Sequence, residues 1–134
     1  MSTPPRVLSA TRPELQGISR KQSRLAIRNP DFLRRIRGIS RSQILGVAID
    51  VSKDFHKALI FDFNGKILER PFAIDVFESG YDLFKRKIER CAKRIQAKRT
   101  LIGIELTGSY GQSFTRRAHE DFEHILFIQG TATA

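Results

Sequence analysis

The amino-acid sequence predicts an α/β fold in which two helices accompany a mixed, five-stranded sheet. Three observations lead to this prediction. Residues 43–52 form an apolar run rich in β-branched side chains, Asn64-Gly65 separates two strand-like segments, and apolar residues recur at helical spacing between residues 76 and 97. The residues that follow supply two further strands with a second helix between them.

The first three predicted strands form an antiparallel unit. Residues 43–52 are apolar on both faces apart from Asp50, which is typical of a buried central strand. Residues 56–63 and 66–74 flank the Asn-Gly dipeptide, which readily supplies the positive φ angles of a tight hairpin. We therefore expect two antiparallel strands after the first.

An amphipathic helix is predicted over residues 76–97. Its apolar stripe advances in steps of four and three residues and comprises Phe77, Tyr81, Phe84, Ile88, Cys91 and Ile95. Charged side chains occupy the opposite side, namely Lys85, Lys87, Glu89, Arg90, Lys93 and Arg94. We therefore expect the helix to pack on the sheet with its basic side exposed, and Cys91 to be a core residue.

Two strands and a helix complete the predicted order. Residues 100–106 are strand-like, residues 107–109 form a turn into a helix that continues to about residue 121, and residues 124–129 form the last strand. The order β-β-β-α-β-α-β is typical of the RNase H-like fold. In that fold, three antiparallel strands are extended by two parallel strands beside the first.

Basic residues are concentrated at the amino end of the chain. The 134 residues carry 24 Lys and Arg against 14 Asp and Glu, a formal net charge of +10, and residues 1–45 alone hold ten bases and two acids. Such a segment attracts phosphate polyanions through counterion release, so nucleic acid is the expected partner, and a solvated tail is the alternative. We divide the chain into a basic, flexible arm (residues 1–42) and a partial RNase H-like domain (residues 43–134).

Composition excludes several classes of protein. The single cysteine, Cys91, cannot form an internal disulfide or a thiolate zinc cluster. The longest uninterrupted apolar stretch, residues 44–49, is far shorter than the about 18–20 residues that cross a bilayer. We therefore expect no membrane partner and a reducing, cytoplasmic location.

A carboxylate interrupts each of the two most apolar strands, Asp50 in one and Glu105 in the other. Burying either alone is costly. If the strands are parallel neighbours, both carboxylates emerge near the carboxyl ends, where α/β sheets generally place ligands. There they could hold Mg²⁺ or Mn²⁺ and serve as catalytic residues in attack on a phosphodiester. The alternative is that Asp50 caps a turn and that Glu105 accepts a hydrogen bond from the amide of Thr107 or of Gly108.

Several side chains are candidates for contacts to nucleic acid. The basic candidates are Lys53, Arg34, Arg35, Arg37, Lys87, Arg90 and Arg94. Tyr110 is a candidate for stacking on a base, with packing at a helix start as the alternative. His119 and His124 are five residues apart, not the four that place two zinc ligands on one helical face, so we expect both at the surface.

Three segments resemble a known family in order and spacing. They are LGVAIDVSKDFHKALIFDFNGKIL, ESGYDLFKRKI and LIGIELTGSYG, and their core is G-x-x-x-D-x-S-K followed some 55 residues later by E-x-T-G-x-Y. These motifs are similar to the amino-terminal domain of the DEDD-type transposases of the insertion sequence 110 family, over residues 44–128. The resemblance implies a RuvC-like nuclease fold, Mg²⁺-dependent recombination, and recognition of DNA with a structured guide RNA. Asp50 matches the family's first acidic residue and Glu105 its second.

The family also supplies two aspartates on a helix beyond the fifth strand and a carboxyl-terminal domain with a nucleophilic serine. The sequence contains no acidic residue after Glu123. We therefore expect the amino-terminal part of a transposase, truncated, inactive alone, binding Mg²⁺ or Mn²⁺ weakly or not at all, and able to form a homo-oligomer. The alternatives are a non-catalytic nucleic-acid-binding protein and a fragment of an actin-like or sugar-kinase ATPase.

Overall fold

The computed structural model of the protein describes residues 30–106 and 111–127. Three helices are present in these ranges: α1 (Pro30–Arg35), α2 (Glu78–Ile95) and α3 (Gln112–Asp121), with a 3-10 turn at Arg41–Gln43. The strands are β1 (Ile44–Val51), β2 (Phe55–Asp62), β3 (Ile67–Asp75), β4 (Arg99–Leu106) and β5 (Ile125–Phe127). Predictions for residues 1–29, 107–110 and 128–134, including the role of Tyr110, lie outside the described residues.

The five strands form one mixed sheet in the order β3-β2-β1-β4-β5. β1 pairs antiparallel with β2 and parallel with β4, β2 pairs antiparallel with β3, and β4 pairs parallel with β5. The predicted α/β class, the order of the elements and the direction of every strand pair are therefore confirmed. β1 lies at the centre, which explains why its sequence is apolar on both faces.

The β2–β3 hairpin turns where the Asn-Gly dipeptide predicted it. Gly65 has a φ of 89°, a left-handed value that favours glycine. The buried Asp62 carboxylate accepts hydrogen bonds from the amides of Asn64 at 2.9 Å and Lys66 at 3.0 Å. This side chain satisfies the turn's backbone donors, as aspartate commonly does in tight turns.

Helices α2 and α3 cover one face of the sheet, which we call the helical face. Phe84 is fully buried there, with ring centroids 5.0 Å from Phe114, 5.8 Å from Tyr81 and 6.3 Å from Phe122. Cys91 is buried, as predicted, and burial raises the pKa of its thiol. The first member of the predicted stripe differs, because Phe77 precedes α2 and is 71% exposed.

The opposite face of the sheet carries a second apolar cluster, and we call it the carboxylate face because it bears Asp50 and Glu105. The side chains of Ile36 and Ile39 pack there against Phe61 and its neighbours. A Cβ on Gly46 would lie 2.4 Å from the Phe61 ring, so only glycine leaves room for that ring. Ile36 is buried and Ile39 is half-buried in this cluster, so these two residues of the predicted arm (residues 1–42) pack on the sheet.

Lys87 is the main departure from the predicted exposed side of α2. Its side chain is 6% exposed, and its Nζ donates to Glu69 Oε1 on β3 at 2.6 Å. The ammonium group also lies 4.9 Å from the centroid of the Phe72 ring. A lysine can bury its methylene stem while its charged end finds a partner, and here that partner is on the neighbouring strand. Lys87 thus joins helix to sheet.

None of the helices in residues 30–106 and 111–127 is long and apolar enough to span a membrane.

Candidate metal and nucleic-acid site

The two candidate metal ligands occupy matching positions on the two central strands. Asp50 of β1 and Glu105 of β4 are register partners in the parallel pair. Neighbouring strands lie about 4.8 Å apart, so partners in register bring their side chains side by side. The structure therefore brings the two carboxylates together, as their positions in the sequence predicted.

Alternation along the strands places both carboxylates on the carboxylate face. Val47, Ile49 and Val51 of β1 belong to the cluster beneath the helices, so Asp50 points to the other side. On β4, Ile104 belongs to the same helical cluster, so Glu105 also points away from the helices. Both residues stand one position before the last residue of their strand. The pair thus lies at the carboxyl edge of the sheet.

The surroundings of the pair combine burial with a nearby cation. Glu105 is buried, with 7% of its surface exposed, whereas Asp50 is half-buried. Lys57 is the register partner of Asp50 on β2, so a positive charge stands on the third strand of the same row. Sequence analysis missed Lys57 because its position opposite Asp50 follows from strand register, which a single sequence does not reveal.

This donor set suits a hard divalent cation. Two carboxylates supply oxygen ligands, which Mg²⁺ and Mn²⁺ prefer, and Mg²⁺ normally completes its shell with waters or substrate oxygens. Within residues 30–106 and 111–127, no group of three or more His, Cys, Asp or Glu side chains lies together. The described strands place two carboxylates, Asp50 and Glu105, in one row of the sheet.

The predicted phosphate-binding residues are distributed over both faces of the sheet. Lys53 is exposed in the loop that follows β1, and Arg37 and Arg90 are also exposed. Arg94 donates a hydrogen bond to the Leu68 carbonyl at 2.9 Å. Lys87 is buried against β3 as described above, so the prediction that this side chain is exposed is wrong.

The remaining candidates lie in α1. Arg34 forms an ion pair with Asp31 on the same helix. Arg35 Nη1 lies 3.3 Å from His124 Nδ1, and the Arg35 carbonyl accepts a hydrogen bond from Arg99. α1 leads into the segment that packs on the carboxylate face, whereas α2 lies on the helical face. Among the described residues, the segment after α1 and helix α2 therefore pack on opposite faces of the sheet.

The exposed side of α2 carries a strip of basic residues. Arg86, Arg90 and Lys93 are all exposed and follow one another at steps of four and three residues, which places them on one side of the helix. The spacing of these three residues is visible in the sequence. The sequence does not show that Lys87, which carries the same charge, is buried and therefore does not belong to the strip.

No family model matches the chain, and no curated protein matches it. The fold and the site by themselves define an α/β protein with a mixed five-stranded sheet and a carboxylate pair at the carboxyl edge of its central parallel strands.

Proposed function

We propose that the chain is the amino-terminal, RuvC-like part of a DEDD-type transposase, with an RNase H-like fold, acting in DNA transposition. The observation that carries this proposal is the register pairing of Asp50 with Glu105 on one face of adjacent parallel strands. The motifs G-x-x-x-D-x-S-K and E-x-T-G-x-Y, which resemble the insertion sequence 110 family, contain these two residues. The strand order and directions support the same proposal, because they agree with an RNase H-like sheet.

In this proposal Asp50 and Glu105 hold Mg²⁺ or Mn²⁺. The ion, when bound, lowers the pKa of a water or hydroxyl and stabilises the charge that develops when a phosphodiester is attacked. The protein's own contribution is to hold two carboxylates at fixed positions on rigid central strands, with Lys57 beside them in the row. The family resemblance implies two further aspartates, so we expect metal binding by this pair alone to be weak and the chain alone to be inactive.

A titration with Mn²⁺ tests the carboxylate pair. We expect Asp50→Asn to weaken Mn²⁺ binding by tenfold or more, because loss of even a group that supports a ligand costs about 10–100-fold in metal affinity. Binding is followed by the loss of the free Mn²⁺ signal in electron paramagnetic resonance.

Asp54→Asn is the matched control, since Asp54 is exposed in the loop after β1 and the substitution removes the same charge. Its affinity for Mn²⁺ should stay within about twofold of the original, as expected for a screened surface charge. Equal binding by the original chain and by Asp50→Asn would contradict the proposal.

A second candidate function is non-catalytic binding of DNA or of a structured RNA. Two observations favour it: residues 1–45 carry ten bases against two acids, and Arg86, Arg90 and Lys93 form an exposed strip on α2. Such binding depends on neutralised phosphates rather than on carboxylates. It can therefore exist with or without the metal site.

Salt dependence distinguishes this second function. We expect the logarithm of the affinity for duplex DNA to fall linearly with the logarithm of salt concentration, with a slope of about −0.9 per phosphate neutralised. Replacing Arg86, Arg90 and Lys93 together by glutamine should reduce the magnitude of that slope by about 3. Fluorescence anisotropy measures the affinity for duplex DNA at salt concentrations from about 50 to about 300 mM, the range in which the effect of salt is large.

The control for this measurement is Asp50→Asn, which should leave the slope unchanged because the carboxylates make no phosphate contact. A slope near zero for the original chain would remove the second function. An unchanged slope in the triple variant would place the contacts elsewhere on the chain.

A further inference from the structure

A cleft of about 350 Å³ opens on the helical face at the carboxyl edge of the sheet. Its walls come from the loop after β1, the start of α2 and the start of α3. The side chains that matter for its chemistry are Lys53, His56, Phe77, Tyr81, Phe114 and Arg117. The cleft thus lies at the same edge of the sheet as Asp50 and Glu105, but on the opposite face.

Aromatic rings form one wall of this cleft. Tyr81 and Phe114 are buried and meet edge to face, with centroids 5.4 Å apart. Phe77 stands at the opening and is 71% exposed. Val76, the neighbour of Phe77, also lines the cleft and is 46% exposed, and a flat ligand that covered the Phe77 ring would remove this apolar surface from water.

A buried hydrogen-bond donor lies among these rings. His56 is 3% exposed, and its ring packs edge to face on Phe114 with centroids 4.9 Å apart. The Ser52 amide donates to His56 Nδ1 at 3.4 Å, which leaves the ring hydrogen on Nε2. His56 lines the cleft, and in this tautomer Nε2–H is the hydrogen-bond donor of its ring. Burial lowers the pKa of His56, which favours the neutral ring.

Positive charge at the mouth of the cleft comes from Lys53. The other cation, Arg117, stacks over Tyr81 at 4.1 Å and is paired with Glu78 and Asp82. Lys53 is exposed and follows Asp50 by three residues, so it lies within about 10 Å of the candidate metal site along the chain. An anionic ligand that reaches the carboxylate edge can therefore also reach Lys53.

We propose that this cleft holds one unpaired nucleotide of a single strand, with its base against Phe77, a base acceptor on His56 Nε2–H and a phosphate at Lys53. The aromatic wall matches the flat face of a base, and the neutral donor matches an acceptor on the edge of that base. The cation matches the phosphate. The proposal rests on the proposed function in one respect, since that function brings nucleic acid to this edge of the sheet.

Two labelled oligonucleotides of equal charge test this site: hexathymidylate, and a hexamer with the same phosphates but no bases. Fluorescence anisotropy is measured with the full chain in EDTA, so that metal binding makes no contribution. We expect hexathymidylate to bind about tenfold more tightly than the abasic hexamer, because one stacked base supplies a gain of this order. Phe77→Ala should abolish the preference while leaving affinity for the abasic hexamer unchanged.

Two matched controls locate the effect in the cleft. Phe127→Ala removes another exposed phenylalanine, 52% exposed on β5, and should retain the preference. Lys53→Gln should weaken the binding of both oligonucleotides. Lys66→Gln, in the exposed β2–β3 turn, should weaken the binding of each oligonucleotide less than Lys53→Gln does. Circular dichroism confirms that each variant is folded.

Equal affinity of the original chain for the two oligonucleotides would overturn the proposal. It would also be overturned by a preference that survives Phe77→Ala or that disappears equally in Phe127→Ala. These outcomes are independent of the Mn²⁺ titration, which is sensitive to Asp50 and indifferent to Phe77. Failure of the cleft and failure of the metal site are therefore distinguishable.

Discussion

Replacement of Phe84 by alanine is expected to lower the free energy of unfolding by about 3–5 kcal/mol. The ring is fully buried and contacts the rings of Tyr81, Phe114 and Phe122, so it holds both long helices against the sheet. Alanine would remove this apolar area and leave a cavity among side chains that cannot all move inward. The loss is a large part of the about 5–15 kcal/mol that stabilises a typical domain.

Urea unfolding followed by circular dichroism measures this effect. Phe77→Ala is the matched control, because it is the same substitution at a ring that is 71% exposed. We expect the control to change the free energy of unfolding by no more than about 0.5 kcal/mol. Equal losses in the two variants would show that Phe84 is not central to the core.

Replacement of Lys87 by methionine is expected to lower the free energy of unfolding by about 1–3 kcal/mol. The substitution keeps the volume of the stem but removes the partner of the Glu69 carboxylate, which is 23% exposed and close to the core. The loss also includes the contact between the ammonium group and the Phe72 ring. Partial access of Glu69 to water limits the size of the effect.

The double variant Lys87→Met with Glu69→Leu separates the ion pair from packing. It removes both charges at once, so we expect it to recover most of the stability that the single substitution loses. Arg90→Met, at an exposed position one turn further along α2, should have little effect. A double variant as unstable as the single one would mean that the loss does not come from leaving the Glu69 carboxylate without its partner.

The arrangement of the sheet could be predicted because local signals in the chain agree with one another. The Asn64-Gly65 dipeptide predicts the turn of the hairpin, and the apolar run of β1 predicts a strand that is buried on both faces of the sheet. Once β1 is central and β4 is its parallel neighbour, Asp50 and Glu105 must approach each other, since both stand near the carboxyl ends. The metal-site hypothesis used only these local patterns and did not need the position of any helix.

The features that could not be predicted depend on contacts between distant segments. Lys87 has the charge and position of an exposed residue, and only the approach of Glu69 on β3 makes its burial favourable. Ile36 and Ile39 stand in a segment whose basic composition indicates an arm, yet the carboxylate face offers them apolar neighbours. The cleft was not predicted because its walls come from three separate parts of the chain.

The parallel pairing of β1 with β4 also makes the carboxylate pair a property of the whole fold. Asp50 and Glu105 are 55 positions apart, and closing a loop of that length costs roughly 3–4 kcal/mol of chain entropy. No hairpin or isolated helix pays this cost by itself, so the pair comes together only when long-range strand pairing is complete. A cation that requires both carboxylates therefore binds the folded chain alone, and it stabilises the sheet by an amount that grows with the ratio of its free concentration to its dissociation constant.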